Sequence, residues 1–352
     1  VGVGFAQGIL QAAGGVESAV ETIGRTALDA DVDSIFHIKA KNYHVLNVVD
    51  SWIDLSTLDL LARQTPWDLI LWPFQTMQEL EVIAPSRLPR ANTQLPPEWL
   101  EQLQILKPKY IVPSSCQFIH ENWSWYNQAF FPITYQQFEQ DILAILPQTK
   151  VIRLNPSVSI TLNERGVNFS ESLSWIKPIG NQNVDYDFNK NLVPPPQAEV
   201  AKNFAPLNTQ QISVVEDYCQ NQLIKKFQSL QPTDEAYFNK NRIWRLRVYD
   251  HSGSFINYDY LINMNSVKLL SQNATIIEWQ TEISIHKFYA ALKLGESLTS
   301  MYLRVNDTQF SNEVENEIKN VDIFNDPLIR CLFEGEFASY QKYQLKKISH
   351  YL

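Results

Sequence analysis

The chain has 352 residues, of which 45% are hydrophobic, enough to fill two cores of ordinary size. Charged residues make up 19% and the net charge is -9, so the basic footprint of a nucleic-acid binder is missing and no nucleic-acid partner is expected. The three cysteines, Cys116, Cys219 and Cys331, show no C-x-x-C spacing, and no apolar run reaches the ~18 to 20 residues that span a bilayer, which together predict a cytoplasmic protein with no transmembrane segment.

Residues 5 to 28 carry apolar positions at helical spacing interrupted at Gly14 and Gly15, which predicts one broken helix or two short ones. "SIFHIKA" (34 to 40) and "YHVLNVVD" (43 to 50) flank the short polar pair Lys41-Asn42 and predict a hairpin whose second strand ends in Asp50. The pattern then alternates: a helix over 54 to 64, a buried strand over 67 to 74, an irregular loop over 75 to 97, a helix over 97 to 107, and the strand "YIVPSS" over 110 to 115. A helix over 134 to 147 and one further strand or pair over 150 to 162 complete it. Such alternation predicts α/β layering.

Residues 177 to 197 have no periodicity and end in three consecutive prolines, the composition of an extended spacer. The predicted domains are therefore 1 to 176 and 204 to 352, joined by a linker over 177 to 203. In the second, smaller α+β domain, "NRIWRLRVYDHSGSFINYDYLINM" predicts a hairpin turning at Ser252-Gly253, and "HKFYAALKLG" a short helix closed by Gly295. Phe288, Leu292 and Leu294 on that helix suit ordinary core packing, or the lining of an apolar groove.

Two places carry chemistry. Asp50 stands at the end of an apolar strand, where side chains emerge into loops, and Asp54 is the better cap for the helix that follows. The stretch "YIVPSSCQFIHENWSWYNQAFFP" delivers Cys116, then His120, Glu121 and Asn122, then a run of aromatics. An imidazole beside a carboxylate binds a divalent metal or moves a proton, whereas three polar residues among aromatics also make a plain hydrogen-bonded loop. The spacing also admits a Cys116–His120 nucleophile pair, against which a lone cysteine after a strand behaves as a small buried hydrophobe. The strand over 110 to 115 is expected beside the one ending at Asp50, with the Trp123 to Tyr126 aromatics walling a shared cleft.

Taken together, "YHVLNVVDSWID", "WDLILWPFQT", "LKPKYIVPSSCQFIHENWSWYN" and "TKVIRLNPSVSITL" resemble the second half of a metallo-β-lactamase superfamily hydrolase, over roughly residues 30 to 165. The resemblance implies an incomplete metallo-β-lactamase-like αββα sandwich followed by the α+β domain. It also implies zinc or another divalent metal in the intact enzyme, with Asp50 and His120 as ligands and Glu121 and Asn122 as catalytic residues. The substrate would be a small-molecule ester, lactone or phosphodiester.

The superfamily's H-x-H-x-D-H motif occurs nowhere in the 352 residues, and Ser114 and Ser115 stand where its last metal-binding histidine follows the strand. The start at Val1 and the missing motif lead to the expectation of an N-terminally truncated chain, inactive as given and binding no metal. The alternative is a whole protein that has abandoned its metal site. A reading from a different class is a non-catalytic binding or interaction protein that uses the aromatic loop 118 to 131.

Overall fold

The computed structural model describes residues 20–23, 35–48, 51, 53–88, 91–115, 118–171, 173–177, 181–335 and 339–349. The protein is mixed α/β, and its chain divides into two compact units. The first comprises 1–77, 91–122 and 127–189; the second comprises 78–90, 123–126 and 190–352. The division at Asn189 falls inside the 177 to 203 segment, but two short excursions, 78–90 and 123–126, also belong to the second unit. The linker segment itself carries a short helix, Gln197–Ala201.

The first unit is built on a six-stranded sheet in sequential order. Strands β1 (Val20–Ile23), β2 (Ile35–Ala40) and β3 (Tyr43–Asn47) pair antiparallel, and β3, β4 (Leu69–Pro73), β5 (Tyr110–Ser114) and β6 (Lys150–Val151) run parallel. The β2–β3 hairpin turns at Lys41-Asn42, Lys41 taking a φ of 55°. Where the sequence pattern predicts helix over 5 to 28, the described part, Val20–Ile23, is a strand: a run in which Val20, Thr22 and Ile23 are all β-branched pairs readily with the edge of β2. The rest of that prediction lies outside the described residues. The strand β5 does not lie beside β3 as expected, because β4 intervenes.

Local chemistry explains the helices of this unit. Asp54 caps the Leu55–Ala62 helix, its carboxylate accepting from the amides of Ser56 and Thr57 at 3.0 Å each. Pro97 opens the Pro97–Leu106 helix, where its missing N–H is no loss. Thr134 caps Tyr135–Ile145 through the Gln137 amide at 2.9 Å. Because alternate strand residues point to opposite faces, Ile70 and Trp72 join Leu46, Ile111 and the helical residues Leu58, Leu61, Leu103 and Phe138 in one core. Leu69 and Val112 join Ile152 on the other face, under the hairpin of β7 (Ile160–Asn163) and β8 (Gly166–Phe169). The predicted run over 150 to 162 thus serves two separate sheets.

The second unit carries a five-stranded sheet in the order β11-β10-β9-β12-β13. Its members are β9 (Arg242–Tyr249), β10 (Phe255–Asn263), β11 (Ser266–Leu269), β12 (Trp279–Ser284) and β13 (Arg304–Val305). The β9–β10 turn contains Gly253 at a φ of 85°, where a Cβ would meet the Ala198 carbonyl oxygen at 3.1 Å. The Ile285–Leu294 helix ends at Gly295 with a φ of 67°. On it Phe288 is buried in the core while Leu294 stands exposed, so the helix packs a core with Phe288.

One face of this sheet is apolar, with Trp244, Leu246 and Tyr260 buried. The other carries two transverse rows of polar side chains set by the register: Asp259, Arg245 and Gln280, then Asn257, Arg247, Glu282 and Arg304. Arg245 grips Asp259 in a two-pronged pair at 2.7 Å and 2.7 Å. Glu282 accepts from the Tyr249 hydroxyl at 2.7 Å, and burial pushes that phenol up to about 12.

The excursion 78–90 is anchored by Arg87, which donates to Glu315 at 2.8 Å and to the Asn306 carbonyl at 2.5 Å. Among the described residues no helix is long and apolar enough to cross a membrane.

Candidate functional site

In a parallel sheet the loops that follow each strand start from one edge, and polar side chains collect there. In the first unit that edge follows β3, β4, β5 and β6. Asp50 and Cys116, which the sequence places after β3 and β5, lie outside the described residues. The described contributors are Gln75 after β4, the His120 loop after β5 and Arg153 after β6.

The chain leaves β5 through Ser115, held at a φ of 69°, a backbone state that few non-glycine residues adopt and that turns the strand sharply into the loop. His120 is half-buried, with the rings of Phe118 and Phe130 both 5.2 Å from its own and that of Phe131 at 6.2 Å. Burial among these rings holds the imidazole below its ordinary protonation range, against the opposing pull of the neighbouring Glu121. It is therefore neutral at physiological pH. Glu121 and Asn122 are exposed.

The loop is fixed by Asn127, which sequence reasoning did not single out. Its Oδ1 accepts from the His120 amide at 2.8 Å and its Nδ2 donates to the Glu121 carbonyl at 3.0 Å, so one side chain pins both residues. Gln75 makes a similar clamp, donating to the Ile133 carbonyl at 2.5 Å and accepting from the Ile133 amide at 3.2 Å. Arg153 lies 3.8 Å from the Tyr135 ring centroid and donates to the carbonyls of Gln182 and Val184 at 2.6 Å and 2.7 Å. These bonds occupy the Arg153 guanidinium. No motif marks them: each joins residues that are adjacent only after folding.

Trp123 to Tyr126 belong to the second unit, where the Tyr302 hydroxyl donates to Ser124 at 2.9 Å and the Arg304 guanidinium lies 4.5 Å from the Trp125 ring centroid. Tyr126 sits 4.5 Å from Tyr302, ring to ring, and is buried. Phe130 and Phe131 are also buried. The large apolar side chains the loop leaves in solvent are Phe118 and Ile119, 47% and 63% exposed. Both lie in the loop 118 to 131 expected as a contact surface.

Among the described residues no three His, Cys, Asp or Glu side chains converge, and the imidazole of His120 faces aromatic rings. What the edge offers is a neutral imidazole, an exposed carboxylate and an exposed amide on a loop of fixed geometry. Of these, the carboxylate and the amide are presented to solvent, while the Nε2 of His120 is buried. No protein-family model and no curated protein matches the sequence.

Proposed function

We propose that the chain is a hydrolase-type protein of the metallo-β-lactamase kind whose first unit binds a small-molecule ester, lactone or phosphodiester at the carboxyl edge of its sheet. One observation carries the reading: β3 to β6 run parallel, and the loop after β5 holds His120 and Glu121 in place through the single side chain of Asn127. A site that is rigid before binding loses less conformational freedom when its ligand arrives. An incomplete αββα sandwich suits the same reading, since helices cover one face of the sheet and, among the described residues, the β7–β8 hairpin covers the other.

In this reading His120 accepts a hydrogen bond from the substrate, and Asn122 and Glu121 orient its polar group. No step is assigned to a metal, and the chain is expected to bind without turning over. Ligand-detected NMR with bis(p-nitrophenyl) phosphate, p-nitrophenyl acetate and a homoserine lactone tests this. Binding of one class, weakened in His120→Ala and Asn127→Ala, is the expected result, with metal analysis showing substoichiometric zinc and iron. Binding of none of the three, or equal binding by the variants, overturns it.

The exposure of Phe118 and Ile119 favours a second reading, an interaction protein that seats these two side chains on an apolar partner. Ile119→Asp separates the two: it abolishes such an interaction and leaves small-molecule binding at His120 unchanged.

A further inference from the structure

A cavity of about 220 Å³ opens in the second unit, away from every residue assigned above. Val215 and Val248 in its lining are buried, whereas Phe255 and Ile256 are 50% and 54% exposed, so its wall runs from the core to the surface. Two carboxylates share this apolar lining: Glu216, half-buried on the Thr209–Asp217 helix, and Asp250, at the end of β9. Among the described residues neither has a salt-bridge partner.

The carboxylate of Asp250 accepts at Oδ1 from the Ser252 amide at 2.8 Å, the Ser252 hydroxyl at 2.6 Å and the Ser254 amide at 3.1 Å. Those bonds hold the carboxyl below its ordinary range, so it is ionised at neutral pH. Arg247, on β9, lies 4.3 Å from the Phe255 ring centroid and is engaged by Asn257 at 2.9 Å and Glu282 at 3.5 Å. It does not neutralise the pair.

We infer that this cavity binds a small organic amine, an ammonium group carried on a compact alkyl or aryl body. The apolar wall takes the body, and Glu216 and Asp250 take the charge. Three features of the cavity select this chemistry over others. Anions are repelled by two carboxylates. A neutral apolar molecule gains the wall and leaves the carboxylates unpaired, the less favourable arrangement for charges partly withdrawn from water. At about 220 Å³ the cavity is below the ~300 to 1,000 Å³ of sites for drug-sized ligands, so the body must be small. The inference stands on the second unit alone and does not depend on the function proposed for the first.

The test is a titration of the full chain with 2-phenylethylammonium, 3-phenylpropanol and 3-phenylpropionate, followed by ligand-detected NMR and calorimetry. The ammonium is expected to bind, the alcohol about fivefold more weakly, and the carboxylate not at all; fivefold is the upper range for one ion pair near a surface. Glu216→Gln is expected to weaken the ammonium about fivefold, and Ile256→Lys, which sets a fixed cation at the exposed rim, to abolish its binding. Circular dichroism confirms that both surface variants keep their fold. Equal binding of ammonium and carboxylate, no binding of the ammonium, or unchanged affinity in both variants overturns the inference.

Discussion

The two units bury polarity in opposite ways. In the first, the sheet is covered on both faces by apolar side chains, and its buried polar groups are isolated clamps such as Gln75 on Ile133. In the second, one face of the sheet carries two rows of polar side chains, with Asp259, Arg245, Asn257, Arg247, Glu282 and Arg304 in register across four strands. The difference teaches where each unit is vulnerable. A unit held by packing fails when volume is removed, and one held by paired charges fails when a partner is removed.

The largest expected effects test that contrast directly. Arg245→Met leaves Asp259, which is almost fully buried, without its cation and is expected to destabilise the second unit by about 3 to 5 kcal/mol. Combining it with Asp259→Leu is expected to restore most of the loss, since an apolar pair of similar size needs no counter-charge; chemical denaturation of both variants checks this. Trp72→Ala is expected to destabilise the first unit by about 3 to 5 kcal/mol through the cavity it leaves, with no apolar rescue at a neighbouring position. If the double variant in the second unit is no better than the single, the polar face does not work by charge pairing.

Smaller effects sharpen the comparison. Asp54→Ala removes the cap of the Leu55–Ala62 helix and is expected to lower stability by about 1 kcal/mol, readable as a shift in the denaturation midpoint. The imidazole of His120 resists protonation in the folded state, so the unfolded chain binds a proton first. Its contribution to stability is therefore present above the ordinary value of 6.5 and is lost as pH falls through that value towards the lower folded one. His120→Phe is expected to flatten that part of the stability profile between pH 7 and 5. At the small end, Lys202→Ala breaks an exposed pair with Glu199 and is expected to change stability by less than about 0.5 kcal/mol.

Periodicity made several elements of both units legible. The hairpin at Lys41-Asn42, the turn at Ser252-Gly253 and the stop at Gly295 all follow from local residue chemistry that acts within a few positions. The assignment of Asp54 as the helix cap was legible for the same reason. What escaped is non-local. Asn127 acts on His120 from seven residues away, Gln75 and Ile133 are 58 apart, and the Arg245–Asp259 pair exists only once β9 and β10 are in register. The run from Trp123 to Tyr126 reads as one loop with His120, yet Tyr302 and Arg304 claim it for the other unit. Hydrophobic pattern reports that a ring will be buried and is silent on which core buries it.

The central claim is that the His120 loop, held by Asn127 at the carboxyl edge of the first sheet, is where a small hydrolysable substrate binds. Backbone amide NMR of the full chain during titration with the ester, lactone and phosphodiester probes tests it most directly. The account expects one probe to shift Ile119, His120, Glu121 and Asn127 together while the Asp250 to Tyr258 hairpin stays unmoved. Shifts confined to the second unit, or none at His120 with any probe at saturation, would contradict it.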